Sequence, residues 1–128
     1  MIAVDSTVLA DWLFNGGELR EAALRLQAMD SEWVCLALGR YELGNVGWKL
    51  VRGGKIKVAD LHLGWAALEV SGVRFMDEIE WAEVSVLASE REITYYDAAH
   101  VWFAASRGLA LFSRDGRLRR KCPEVVCG

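Results

Sequence analysis

Four short apolar runs, Met1–Val4, Trp33–Leu36, Val73–Met76 and Leu109–Phe112, alternate with stretches that carry helical spacing. Runs this short, apolar without a polar alternation, suit strands buried on both faces, and such strands belong to parallel sheets. Ser6 or Thr7 can cap a helix running to about Phe14, broken by Asn15-Gly16-Gly17. Helical spacing resumes over residues 18–29, with Leu19, Ala22, Ala23 and Leu26 on one face. Further helices are expected over about 38–51, 58–70, 77–91 and 95–107. The segment 77–91 puts Ile79, Ala82, Val86 and Leu87 on one face. Thr94 is a natural cap for the helix at 95, Ser113 for a short basic helix to about Lys121, and Val125–Val126 reads as a last strand. Strands alternating with helices imply an α/β protein, a parallel sheet covered on both sides.

In such sheets ligands sit beyond the carboxyl ends of the strands, where the strand order reverses. That rule singles out the acids. Asp5 follows the first strand at once, and Asp115 follows the fourth after Ser113-Arg114. Glu42 and Asp97 lie in the helices after the second and third strands. Carboxylates gathered in one cleft repel each other unless a cation lies between them, and an oxygen-only set suits Mg²⁺ or Mn²⁺ rather than zinc or copper. A hard divalent ion held this way commonly serves phosphate chemistry.

Each acid also has a plainer reading. Asp5 can be a helix N-cap. Asp97, three residues after Thr94, fits a capping box in its aspartate form. Glu42 lies on the seam of its helix, between an apolar side with Val46 and Leu50 and a polar side with Asn45, Lys49 and Arg52. Asp115 is placed to favour a helix dipole. Gly39, Gly44 and Gly47 in the Glu42 helix each cost up to ~1 kcal/mol relative to alanine, which calls for compensation by close packing or by access to a substrate backbone.

With 128 residues, 53% apolar and 26% charged, the chain reads as one globular domain over 1–128. Asp5 and Asp11 within the first dozen residues argue against a signal peptide, and no apolar run suits a membrane helix; a cytoplasmic protein is expected. Cys35, Cys122 and Cys127 lack zinc-site spacing and read as reduced thiols. The net charge of −3 does not advertise a polyanion binder, but the charge is segregated. Residues 77–92 hold six acids against Arg91 alone, whereas 107–121 hold six basic residues against Asp115 alone. A basic rim of that kind attracts polyanions locally. Most of the six tryptophans are expected in the core, with a subset available to an interface.

Taken together, the strand running into Asp5-Ser6, Glu42-Leu43-Gly44-Asn45, Tyr96-Asp97-Ala98, and Ser113-Arg114-Asp115 with its basic helix closely resemble the PIN-domain nuclease family and, within it, the VapC-like toxins of toxin–antitoxin pairs. The resemblance spans nearly the whole chain. It implies a three-layer α/β/α fold with a parallel five-stranded sheet of order 3-2-1-4-5, and a metal-dependent endoribonuclease leaving a 5′-phosphate and a 3′-hydroxyl. Asp5, Glu42, Asp97 and Asp115 would then be the catalytic metal ligands for Mg²⁺ or Mn²⁺, with Ser6, Asn45 and Ser113 in support and Lys49, Arg114 and Arg117 as candidates for RNA contacts. A homodimer and a cognate antitoxin partner are implied as well. Two positions depart from the pattern: His100 stands where the family often has an aromatic residue, and Gly44 where alanine is more usual. Neither removes a ligand, and His100 reads as a packing or supporting residue one turn beyond Asp97.

Two rival readings follow from the same residues. One is a non-catalytic protein-binding module of this fold. The other is a Mg²⁺-dependent aspartyl phosphoryl-transfer domain; a phosphatase of that type needs a second aspartate two residues after the first, and position 7 is Thr7. The RNA target and the antitoxin's identity are not written in the chain.

Overall fold

The computed structural model describes residues 1–128. Its elements are β1 (Ile2–Val4), α1 (Ser6–Leu13), α2 (Gly17–Met29), β2 (Trp33–Leu36), α3 (Leu38–Arg52), α4 (Val58–Val70), β3 (Arg74–Met76), α5 (Trp81–Arg91), α6 (Tyr95–Ser106), β4 (Leu111–Phe112), α7 (Gly116–Lys121) and β5 (Val126–Cys127). The five strands form one sheet in the order β3-β2-β1-β4-β5, and every pairing is parallel. This is the expected α/β architecture and strand order.

The strands divide the core in two because successive side chains point to opposite faces. Ala3, Val34, Leu36 and Leu111 join Val84 of α5, Phe103 and its neighbours on α6, and Leu118 of α7. Ile2, Val4, Trp33 and Cys35 face the other way, onto Val8, Leu9 and Ala10 of α1 and Leu43 of α3. Helices therefore cover both faces, and no backbone edge of the central strand β1 is free. None of the helices is long and apolar enough to cross a membrane.

Two of the three glycines of α3 are explained by close packing. A Cβ on Gly39 would lie 2.4 Å from Cys35 Sγ, and one on Gly47 would lie 2.4 Å from Leu61 Cδ1. Gly64 on α4 has the same role: its Cβ would lie 2.4 Å from Phe14 Cε1, in a ring that also packs edge-on against Trp65 with centroids 5.2 Å apart. Gly44 faces open space, and no contact accounts for it.

Several boundaries differ from expectation for identifiable reasons. The acidic helix begins at Trp81 rather than at 77, because the Glu80 carboxylate accepts the Ala82 N–H and stops the helix there. Residues 77–80 stay outside it, with Glu78 paired to Arg107. The inward face is accordingly Val84, Leu87 and Ala88, while Ile79, Ala82 and Val86 are exposed. Ser6, Thr7 and Ser113 do not cap the following helices; Asp5 and Asp115 do. Trp48 and Trp81 are 53% and 69% exposed rather than core.

The packing predicts opposite outcomes for two glycine substitutions. Gly64→Ala must displace the Phe14 ring and should cost about 1–3 kcal/mol in urea unfolding. Gly44→Ala meets nothing and should gain up to ~1 kcal/mol.

Candidate active site

Reversal of strand order in the sheet lies between β1 and β4, and two of the acids sit at that point. Asp5 directly follows β1, its own N–H bonded to Phe112 O of β4 at 3.3 Å. Its Oδ1 accepts the N–H groups of Thr7 (3.0 Å) and Val8 (3.4 Å) and the Thr7 hydroxyl. Asp115 begins α7 in the same manner, with Oδ1 accepting from the N–H groups of Arg117 (3.0 Å) and Leu118 (3.2 Å). The cap reading is therefore true of both residues, yet it occupies one oxygen of each. Oδ2 of Asp5 and Oδ2 of Asp115 make no hydrogen bond to protein.

Thr7 ties these two starts together. While its hydroxyl donates to Asp5, its oxygen accepts the Arg114 N–H at 2.9 Å. Ser113 Oγ accepts the Asp115 N–H at 3.1 Å, so Ser113 shapes the turn that presents Asp115 rather than touching the carboxylate. Ser6 makes no side-chain hydrogen bond; the supporting hydroxyl beside Asp5 belongs to Thr7.

Glu42 and Asp97 come from α3 and α6. Glu42 Oε1 lies 2.5 Å from Nε2 of His100, which joins the two helices. Thr94 accepts the Asp97 N–H at 3.1 Å, but the reciprocal half of a capping box is not made. Burial pushes its pKa up, helped by the Asp115 and Glu42 carboxylates and opposed by Thr94 and His100. Asp97 thus feels both of the other acids. Asp5 and Glu42 in turn, after burial itself, push the Cys35 thiol up from beneath. The four carboxylates are thus linked electrostatically, Asp97 with Asp115 and Glu42, and Asp5 and Glu42 through Cys35.

The basic candidates divide. Lys49 and Arg117 are exposed and make no ion pair, so both are open to phosphates. Arg114 is instead committed through Nε to Asp11 Oδ2 at 2.7 Å, and Asp11, 5% exposed, also accepts from Asn15 Nδ2 at 2.8 Å. Asn45 is exposed and makes no side-chain hydrogen bond, so it does not support the acids here. Thr7 and Asp11 are the residues that sequence reasoning missed. The signals for them were a hydroxyl two residues past a strand-end acid, and an acid on the inward face of α1.

The donor set fits a hard divalent ion in kind: all oxygen, charge in excess, and one oxygen free on each of Asp5, Glu42 and Asp115. No three His, Cys, Asp or Glu side chains stand close enough together here to hold an ion, so loading would have to draw the carboxylates closer. The three cysteines are unbridged, and Cys35 lies buried behind the carboxylates.

A folded-state pKa for Asp97 above 3.8 means that the fold holds this proton more tightly than the unfolded chain does. The resulting stability is present below 3.8 and lost as pH rises through the folded value, so at pH 7 the ionised carboxylate weakens the fold. Metal-free Asp97→Asn should accordingly melt a few degrees above wild type at pH 7 in a calorimetric scan, with the gap closing below pH 3.8.

Comparison with known proteins agrees with this geometry. The PIN domain family model matches residues 2–122. The chain is 34% identical over 93 residues to exonuclease VapC9 of Pyrobaculum aerophilum, covering 71% of this chain and 68% of that protein. It is 30% identical over 129 residues to ribonuclease VapC3 of the same organism, covering 98% and 97%. The crystal structure of PAE2754 from P. aerophilum superposes with a TM-score of 0.78 at 26% identity, over 98% of this chain and 81% of that one. A toxin–antitoxin complex from Klebsiella pneumoniae shares the fold at 18% identity, with a TM-score of 0.71 over 100% of this chain and 97% of that one. A sheet of order 3-2-1-4-5 with acids at its switch point, matched by a family model over almost its whole length, places this chain in the PIN-domain family.

Proposed function

We propose that this PIN-domain chain is a Mg²⁺- or Mn²⁺-dependent endoribonuclease, hydrolysing phosphodiester bonds of single-stranded or structured RNA as the toxin of a toxin–antitoxin pair. One observation carries the reading: Asp5 and Asp115 stand at the switch point, each with one carboxylate oxygen unbonded, and the charge of Asp97 is resisted first by burial and then by Asp115 and Glu42. The ribonuclease and exonuclease named among its relatives support the nuclease part of this reading; internal cleavage and the metal are proposed. The antitoxin and the homodimer belong to the same reading and rest on the resemblance to VapC-like toxins.

Asp5, Glu42, Asp97 and Asp115 would hold the ion. When bound, it supplies a Lewis acid for the scissile phosphate and lowers the pKa of an attacking water. The chain's own part is mostly placement. Backbone N–H groups at the starts of α1 and α7 fix Asp5 and Asp115, so these carboxylates need little reorganisation on loading. Thr7 ties the turn after β4 to the turn after β1. Lys49 and Arg117 are available to phosphates flanking the cut, where their charge would raise the rate of capture at low salt. Cleavage would leave a 5′-phosphate and a 3′-hydroxyl.

Asp5→Asn tests this reading, because asparagine caps a helix as well as aspartate does and the fold should survive. With purified protein and a labelled RNA, wild type should cut in Mg²⁺ or Mn²⁺ and stop in chelator. Asp5→Asn should lose more than about 100-fold, beyond the loss usual for a mere neighbour of a metal ligand. A covalently closed circular RNA should also be cut; cutting of linear RNA alone would replace internal cleavage by end-directed cleavage. Undiminished cutting by the variant would remove Asp5 from the site, and a folded wild type that cuts no RNA would favour the protein-binding module.

A further inference from the structure

We infer that His100 is a positioning residue that holds Glu42 in place for metal uptake, an inference that rests on the metal-dependent reading above. His100 is 2% exposed and stands one helical turn after Asp97 on α6. Its Nε2 is 2.5 Å from Glu42 Oε1 on α3, while its Nδ1 is buried and has no partner. That asymmetry assigns the proton of the neutral ring. On Nε2 the N–H has a carboxylate to donate to; on Nδ1 it would be buried without an acceptor. The imidazole is therefore a donor to Glu42.

The other three acids do not need such help. Asp5 and Asp115 are pinned by backbone N–H groups at helix starts, and Asp97 has a short side chain on a buried helix. Glu42 is longer, 29% exposed in its side chain, and no backbone group holds it. Its only anchor is His100. Gly39, one turn before Glu42, lies beside the ring, where a Cβ would stand in ordinary contact at 3.6 Å from His100 Cε1. With Oε1 taken by the imidazole, Oε2 is the oxygen left for a ligand. A hydrogen-bonded partner that orients a ligating carboxylate typically changes metal affinity about 10–100-fold.

The test is Mn²⁺ titration by calorimetry on the full chain, beside RNA cleavage kinetics. His100→Phe keeps an aromatic ring in the cavity and removes the donor; His100→Gln restores an N–H near the Nε2 position. His100→Phe should weaken Mn²⁺ about 10-fold and lower kcat at limiting metal with KM for RNA unchanged, and His100→Gln should recover most of the affinity. In a Glu42→Gln background, His100→Phe should add no further loss of affinity, because the two act as one unit. Wild-type Mn²⁺ affinity in His100→Phe overturns the inference alone, as does an equal further loss in the Glu42→Gln background. Wild-type protein that takes up no Mn²⁺ overturns the metal-dependent reading itself, and this inference with it.

Discussion

The parallel pairing of β1 with β4 sets the switch point, and one hydroxyl ties the turns beyond it. Thr7 donates to the Asp5 carboxylate and accepts the Arg114 N–H, so the ends of β1 and β4 are joined at the place where the strand order reverses. Asp5 is thereby both a helix cap and a site residue. The two roles compete on paper but not in the molecule, because a carboxylate has two oxygens. One satisfies the N–H groups that begin α1, which a helix start must place somewhere. The other makes no hydrogen bond to protein. Asp115 repeats the device on α7.

Gathering four acids has a cost, and the structure shows where it falls. Asp97 is half-buried and lies within the fields of Asp115 and Glu42, so its ionised form is opposed. A site built for folding stability alone would have replaced one of these groups. Retention of charge against such opposition is a physical mark of function. The same logic explains the buried imidazole. His100 fixes the direction of the cluster's least constrained member.

Much of the fold could be read from residues. Apolar runs of three or four residues marked β1 to β4, and their brevity implied parallel strands buried on both faces. The strand order came from the resemblance rather than from periodicity, which carries no information about neighbours. The four acids were found because they stand beside strand ends and helix starts, positions that sequence shows well. What was missed is of a different kind. The start of α5 turned on Glu80 acting as a cap, a choice between adjacent acids that spacing does not decide. Arg114 looked free for RNA because its partner Asp11 is 103 residues away. Thr7 and His100 were legible as residues but not as bonds, since both act across elements. Most tryptophans are expected inside without any being singled out, and Trp48 and Trp81 prove to be the exposed ones.

On the metal-dependent reading proposed above, repulsion among these carboxylates is relieved by a divalent ion. The most direct measurement is the unfolding temperature against Mn²⁺ concentration, for wild type and for a variant carrying both Asp5→Asn and Asp97→Asn. An ion that binds only the folded chain stabilises it by mass action. The wild-type melting temperature should climb as Mn²⁺ is added, while that of the double variant should stay flat. A wild type whose melting temperature ignores Mn²⁺, or a double variant that climbs in parallel with it, would contradict the account.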